Sequence, residues 1–89
     1  MDILKCASAG TLESSDAYVE IEPAADSITI SIESVVEKQF GQKIKSAVYE
    51  VLSENGVEAA SVRIVDRGAL ECVIRARVET AILRAKGDN

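Results

Sequence analysis

The chain contains no histidine, which removes the side chain most often used as a general base near neutral pH and as a metal ligand. Ser-His and Cys-His arrangements are therefore excluded. The segment left for chemistry is small, polar and acidic: Ala9-Gly10-Thr11-Leu12-Glu13-Ser14-Ser15-Asp16. Its composition marks an exposed turn between two structured stretches. A hydroxyl presented there, on Ser14 or Ser15, needs no base of its own if another enzyme modifies it, because that enzyme brings the catalytic groups. The missing histidine thus favours a modified serine over a catalytic one. The segment is not a phosphate-binding loop, since it lacks the second glycine and the lysine of a Walker A sequence.

Other charged and nucleophilic residues have plainer readings. The carboxylates Glu20/Glu22 and Glu13/Asp16 fit a solvated strand face or turn and lack the spacing of a calcium loop. Arg63, Arg67, Arg75 and Arg77 could together hold an anion, although Arg75 is explained by Glu71 four residues before it. Arg77 lies near an apolar stripe with no evident partner. Cys6 and Cys72 are too few for a disulfide framework or a cysteine zinc site, and read as reduced, partly buried thiols. Cys72 is expected to be a small packing residue.

The positioning scaffold must be small. At 89 residues, 47% hydrophobic and 28% charged, the chain fits one domain over residues 1–89 that buries about 60–65% of its unfolded surface. A deep internal active site is not expected. The net charge is −5, and residues 1–34 hold one lysine against seven acidic side chains. This acidic end, with Glu13 and Asp16 beside the hydroxyls, is expected to steer the loop towards basic partner surfaces. The same balance, with only Tyr18, Phe40 and Tyr49 for stacking, argues against nucleic acid. No apolar run exceeds three residues, so no membrane span or signal core is expected and the chain reads as cytoplasmic.

Period-two alternation in Tyr18-Val19-Glu20-Ile21-Glu22 and Ser27-Ile28-Thr29-Ile30-Ser31-Ile32-Glu33 predicts two strands with one wet face each. Pro23-Ala24-Ala25-Asp26 is expected to join them as a hairpin. Ile3-Leu4-Lys5-Cys6 is a candidate opening strand. Val36, Phe40, Ile44, Ala47/Val48, Val51 and Leu52 then form a helical stripe, with a capping box in Ser34-Val35-Val36-Glu37 and a stop at Asn55-Gly56. Ser61-Val62-Arg63-Ile64-Val65 reads as a strand, and Asp66-Arg67-Gly68 turns it into a second helix. Leu70, Val73/Ile74, Val78, Ala81/Ile82 and Ala85 form that helix's stripe, with Arg84 and Lys86 at its negative end. The predicted order is β-β-β-α-β-α, an α+β fold with two helices on one face of a mainly antiparallel sheet.

Three segments, Ala9-Gly10-Thr11-Leu12-Glu13-Ser14, Val36-Glu37-Lys38-Gln39-Phe40-Gly41 and the stretch from Asp66 to Glu79, together resemble the acyl carrier protein of citrate lyase, its gamma chain. The resemblance keeps order and spacing over nearly the whole chain. It implies that Ser14, the serine after Gly-Thr-Leu-Glu, carries a phosphoribosyl-dephospho-coenzyme A group, derived from triphosphoribosyl-dephospho-coenzyme A and attached by a prosthetic-group transferase. Members of that family often have glycine next, where this chain has Ser15, a second hydroxyl one residue away. The implied partners are the alpha subunit, which exchanges acetyl for citryl on the arm's thiol, and the beta subunit, which cleaves the citryl thioester to oxaloacetate and the acetyl form. Citrate thus yields oxaloacetate and acetate, with the carrier supplying reach rather than catalysis. The delta subunit of malonate decarboxylase, which carries the same kind of group, and a regulatory or interaction module with no covalent group are the alternatives.

Overall fold

The structure is a computed structural model that describes residues 3–34 and 38–86, and the side chains of all of these except 38–40. Four strands and two helices follow in the order β1 (Ala7–Gly10), β2 (Ala17–Glu22), β3 (Ile28–Ser34), α1 (Lys38–Glu54), β4 (Ala60–Asp66) and α2 (Glu71–Ala85). The alternating apolar residues do what their period demands. Val19 and Ile21 of β2 lie opposite Ile64 and Val62 of β4, and Ile30 and Ile32 of β3 lie opposite the same two residues from the other side. These side chains build the sheet's inner face, on which Val48, Val51 and Leu52 of α1 and Ile74, Val78 and Ile82 of α2 are buried.

The sheet order is β1-β2-β4-β3, so the expected hairpin of Val19/Ile21 with Ile28/Ile30/Ile32 does not form. β4 lies between its two strands, antiparallel to β2 and parallel to β3. A hairpin would have left β4 at an edge, although its Ala60, Val62, Ile64 and Asp66 are all buried. Inserted at the centre, β4 has backbone partners on both sides. The parallel β3–β4 pair needs a long crossover, and α1 is that crossover.

Several local expectations shift as well. The opening strand is Ala7–Gly10 rather than Ile3-Leu4-Lys5-Cys6. Ile3 is still buried, and the Leu4 and Lys5 amides donate to the Ala85 carbonyl at 3.0 and 3.2 Å, closing the end of α2. Arg84 reaches the Ser8 carbonyl at 2.8 Å and so ties α2 to β1. Leu70, expected in the stripe of α2, is its N-cap residue and is 71% exposed. Both cysteines are exposed, so neither Cys6 nor Cys72 is a packing residue. Of the expected capping box, Glu37 lies outside the described residues, and the Ser34 hydroxyl donates to Asp66 at 2.9 Å. Val36 and the Phe40 side chain also fall outside them. The stop at Asn55-Gly56 forms as expected: Gly56 has φ 71°, its amide donates to Ser53 and the Val57 amide donates to Leu52.

Candidate functional site

Residues 11–16 connect β1 to β2, and hydrogen bonds hold the segment in one shape. The Asp16 amide donates to the Glu13 carbonyl at 3.2 Å, which makes Ser14 and Ser15 the two central residues of a β-turn. Ser15 has φ 66°. Ser14, the first central residue, is exposed, and its hydroxyl makes no hydrogen bond among the described residues. The turn is pinned to the β4–α2 connection from both sides of one residue: the Ser15 amide donates to the Arg67 carbonyl at 2.8 Å, and the Arg67 amide donates to the Asp16 carbonyl at 2.9 Å.

Beneath the turn, Asp16 is a hub. Its carboxylate accepts from the Thr11 hydroxyl at 2.6 Å, from the Ala17 amide at 2.7 Å, and from Arg77 Nε and Nη2 at 3.1 and 3.0 Å. The Thr11 oxygen in turn accepts from the Glu13 amide at 3.2 Å. The Asp16 side chain is only 14% exposed. These donors, the Thr11 hydroxyl first and Arg77 second, lower its pKa from 3.8 to about 2. Arg77, unexplained by the helix pattern, is therefore the fork that fastens the loop to α2.

Asp66 organises the second connection. Only 2% exposed, it accepts from the Gly68 and Ala69 amides at 3.1 and 2.9 Å through one oxygen and from Ser34 through the other. It thereby fixes the turn that presents the Arg67 backbone to the serine turn.

The four arginines considered as an anion site are not brought together. Arg63 pairs with Glu20 and Glu33 on the open sheet face, Arg75 pairs with Glu50 and Glu71, and Arg77 is held by Asp16. Of the four, Arg67 has no ion pair among the described residues. Asp16 is likewise spent internally, so of the two acids expected to steer partners only Glu13 is free of an ion pair among the described residues. No group of three His, Cys, Asp or Glu placed to hold a metal occurs among the described residues. No helix among them is long and apolar enough to cross a membrane.

A family model described as malonate decarboxylase delta subunit (MdcD) matches residues 5–85. The citrate lyase acyl carrier protein of Streptococcus uberis is 51% identical over 87 residues, covering 98% of this chain and 86% of the relative. That of Streptococcus mutans is 54% identical over 86 residues, covering 96% and 84%. That of Haemophilus influenzae is 54% identical over 85 residues, covering 96% and 88%. The chain belongs to the citrate lyase acyl carrier protein family. One chain of a Pseudomonas malonate decarboxylase hetero-tetramer, solved in complex with malonate, matches with a TM-score of 0.79 at 23% identity, over 96% of this chain and 88% of that one. That likeness is one of fold.

In this member of the citrate lyase acyl carrier protein family, the left-handed Ser15 carries a cost that glycine would avoid. Ser15→Gly is expected to raise stability by about 0.5–1 kcal/mol in denaturant melts, since a strained backbone outweighs the extra freedom of unfolded glycine. A loss of stability would show that the serine side chain itself holds the turn. The hub also sets a pH window. Because the Asp16 pKa is depressed in the fold, its contribution is fully present above about pH 4 and drains as pH falls through about 2. Amide exchange at residues 11–17 should therefore accelerate between pH 4 and pH 2, relative to the intrinsic rate, before the β2–β4 amides respond. Simultaneous loss of protection in both would contradict a local hub.

Proposed function

We propose that this chain is the acyl carrier subunit of a cytoplasmic citrate lyase, loaded on Ser14 with a phosphoribosyl-dephospho-coenzyme A arm. Acting through the arm, it moves acetyl and citryl groups between the alpha and beta subunits as citrate is cleaved to oxaloacetate and acetate. The observation that carries the reading is the exposed Ser14 hydroxyl, without a hydrogen bond among the described residues, at the tip of a turn held by Asp16, Arg77 and the Arg67 backbone. A transferase must reach that oxygen, and the turn must keep its shape before and after attachment. Both requirements fit an exposed hydroxyl above a closed hydrogen-bond network. When attached, the arm supplies the thiol on which acyl groups travel. The protein holds the point of attachment still and raises the arm's local concentration at two partner sites.

The fold-level likeness to a malonate decarboxylase chain and the family model keep that enzyme's carrier as the second reading. Reconstitution separates the two. Loaded chain should restore citrate cleavage to carrier-free alpha and beta subunits, and unloaded chain should not. Restoration of malonate decarboxylation instead would select the second reading, and cleavage of citrate by the loaded chain alone would remove the carrier reading.

A further inference from the structure

We infer that the Arg67 guanidinium clamps the phosphate that joins the arm to Ser14, and so sets the direction in which the arm leaves the turn. This rests on the reading of Ser14 as the attachment point. On that reading the serine oxygen displaces diphosphate from the donor's triphosphoribosyl group and its proton passes to the transferase. A phosphate bearing a negative charge then stays between the serine oxygen and the ribose. The charges that the fold gathers around Ser14 decide what faces it.

The two connections that meet there, residues 11–16 and 67–70, carry Glu13, Asp16 and Arg67 as their only charged side chains. Asp16 stays ionised, its pKa lowered to about 2, so the new anion is set beside two carboxylates. Arg77, the cation that α2 sends to the loop, gives Nε and Nη2 to Asp16. Arg67 is left. Its side chain is exposed and makes no hydrogen bond or ion pair among the described residues. Its backbone, by contrast, is fixed against the neighbour of Ser14: the carbonyl accepts from the Ser15 amide at 2.8 Å, and the amide donates to the Asp16 carbonyl at 2.9 Å. The fold thus roots an uncommitted guanidinium beside the attachment point. Its paired donors match phosphate oxygens, and its charge offsets the repulsion from Glu13 and Asp16. Exposed ion pairs between two free side chains gain little. Here the anion is covalently held next to the cation, so no partner has to be recruited from solution.

The test follows the arginine Nε–H resonances of isotope-labelled full-length carrier, unloaded and loaded, with intact mass confirming loading. Loading should move the Arg67 resonance and slow the rotation of its guanidinium. Those of Arg63 and Arg75, committed to Glu20, Glu33, Glu50 and Glu71, should stay in place. The phosphorus resonance of the Ser14 phosphate should shift in Arg67→Gln and return part of the way in Arg67→Lys, which restores the charge without the fork. Unloaded Arg67→Gln should melt like wild type; a loss of stability there would make the side chain structural and overturn the clamp. The wild-type resonances decide whether or not the transferase accepts the variants. An Arg67 resonance unchanged by loading, with the amides of residues 13–15 displaced, overturns the clamp and leaves the carrier reading intact. Failure of the transferase to add mass to the wild-type chain overturns the carrier reading, and the clamp with it.

Discussion

Ser14→Ala should give a folded carrier that cannot be loaded. Co-expression with the prosthetic-group transferase is expected to add the arm to wild type and to Ser15→Ala, and to add nothing to Ser14→Ala. The two hydroxyls are adjacent, but the turn separates their roles. The Ser15 amide is bonded to Arg67 and its backbone is left-handed, whereas Ser14 sits at the first central position with its side chain exposed. Removing an exposed hydroxyl with no hydrogen bond among the described residues should change stability by less than about 0.5 kcal/mol. Intact mass reads the loading, and a denaturant melt checks the fold. An arm on Ser14→Ala, or a loss of loading in Ser15→Ala with the fold intact, would reassign the site.

The second large effect is expected at Gly10, four residues before the serine. Its φ is 93°, and a Cβ there would lie 1.9 Å from the Ala17 carbonyl oxygen, 3.0 Å from the Ala17 carbonyl carbon and 3.2 Å from Arg77 Cδ. The arginine could yield, but the Ala17 backbone is held in register with Asp66 of β4 and cannot. Left-handed strain of about 1–2 kcal/mol and overpacking of about 1–3 kcal/mol act together, so Gly10→Ala should cost about 2–5 kcal/mol. For a domain of this size the melting temperature should fall by roughly 10 °C or more. Gly68→Ala is the internal control: it has the same φ of 93° but nothing within 4 Å of the added atom, so only the backbone strain applies. Equal losses at the two positions would show that the Ala17 contact is not what makes Gly10 necessary.

The faces of the elements were legible in the sequence, and their neighbours were not. Period two correctly aimed Val19, Ile21, Val62 and Ile64 inward, and the helical stripe correctly marked Ile44, Val48, Val51, Ile74, Val78 and Ile82 as buried. Alternation says nothing about which strand lies beside which, so a short turn after β2 pointed to a hairpin where β4 is inserted. The site divides in the same way. The small polar run marked an exposed turn, and family resemblance favoured Ser14 over Ser15. The support under the turn depends on Arg77, which lies 61 positions from Asp16, and no local pattern pairs residues so far apart. Its anomalous place on the edge of an apolar stripe was the available signal. Asp66 had a weaker one, an Asp-x-Gly turn at the end of a strand. Cys6 and Cys72 were misplaced because cysteine is so often buried that composition alone assigns it to the interior.

The strand order also bears on how the chain acquires its shape as it leaves the ribosome. β4 is the last strand to be synthesised, yet it supplies one flank of β2 and pairs with β3 along seven residues. Until residue 66 has emerged, β3 has no strand beside it, and Ile28, Ile30 and Ile32 lack the sheet that half-buries them. A nascent chain stopped before that point displays unpaired, isoleucine-rich edges, the kind of surface that recruits other chains. The domain therefore completes its sheet only once β4 has been made, and truncation anywhere before β4 leaves an aggregation-prone fragment in place of a smaller folded unit.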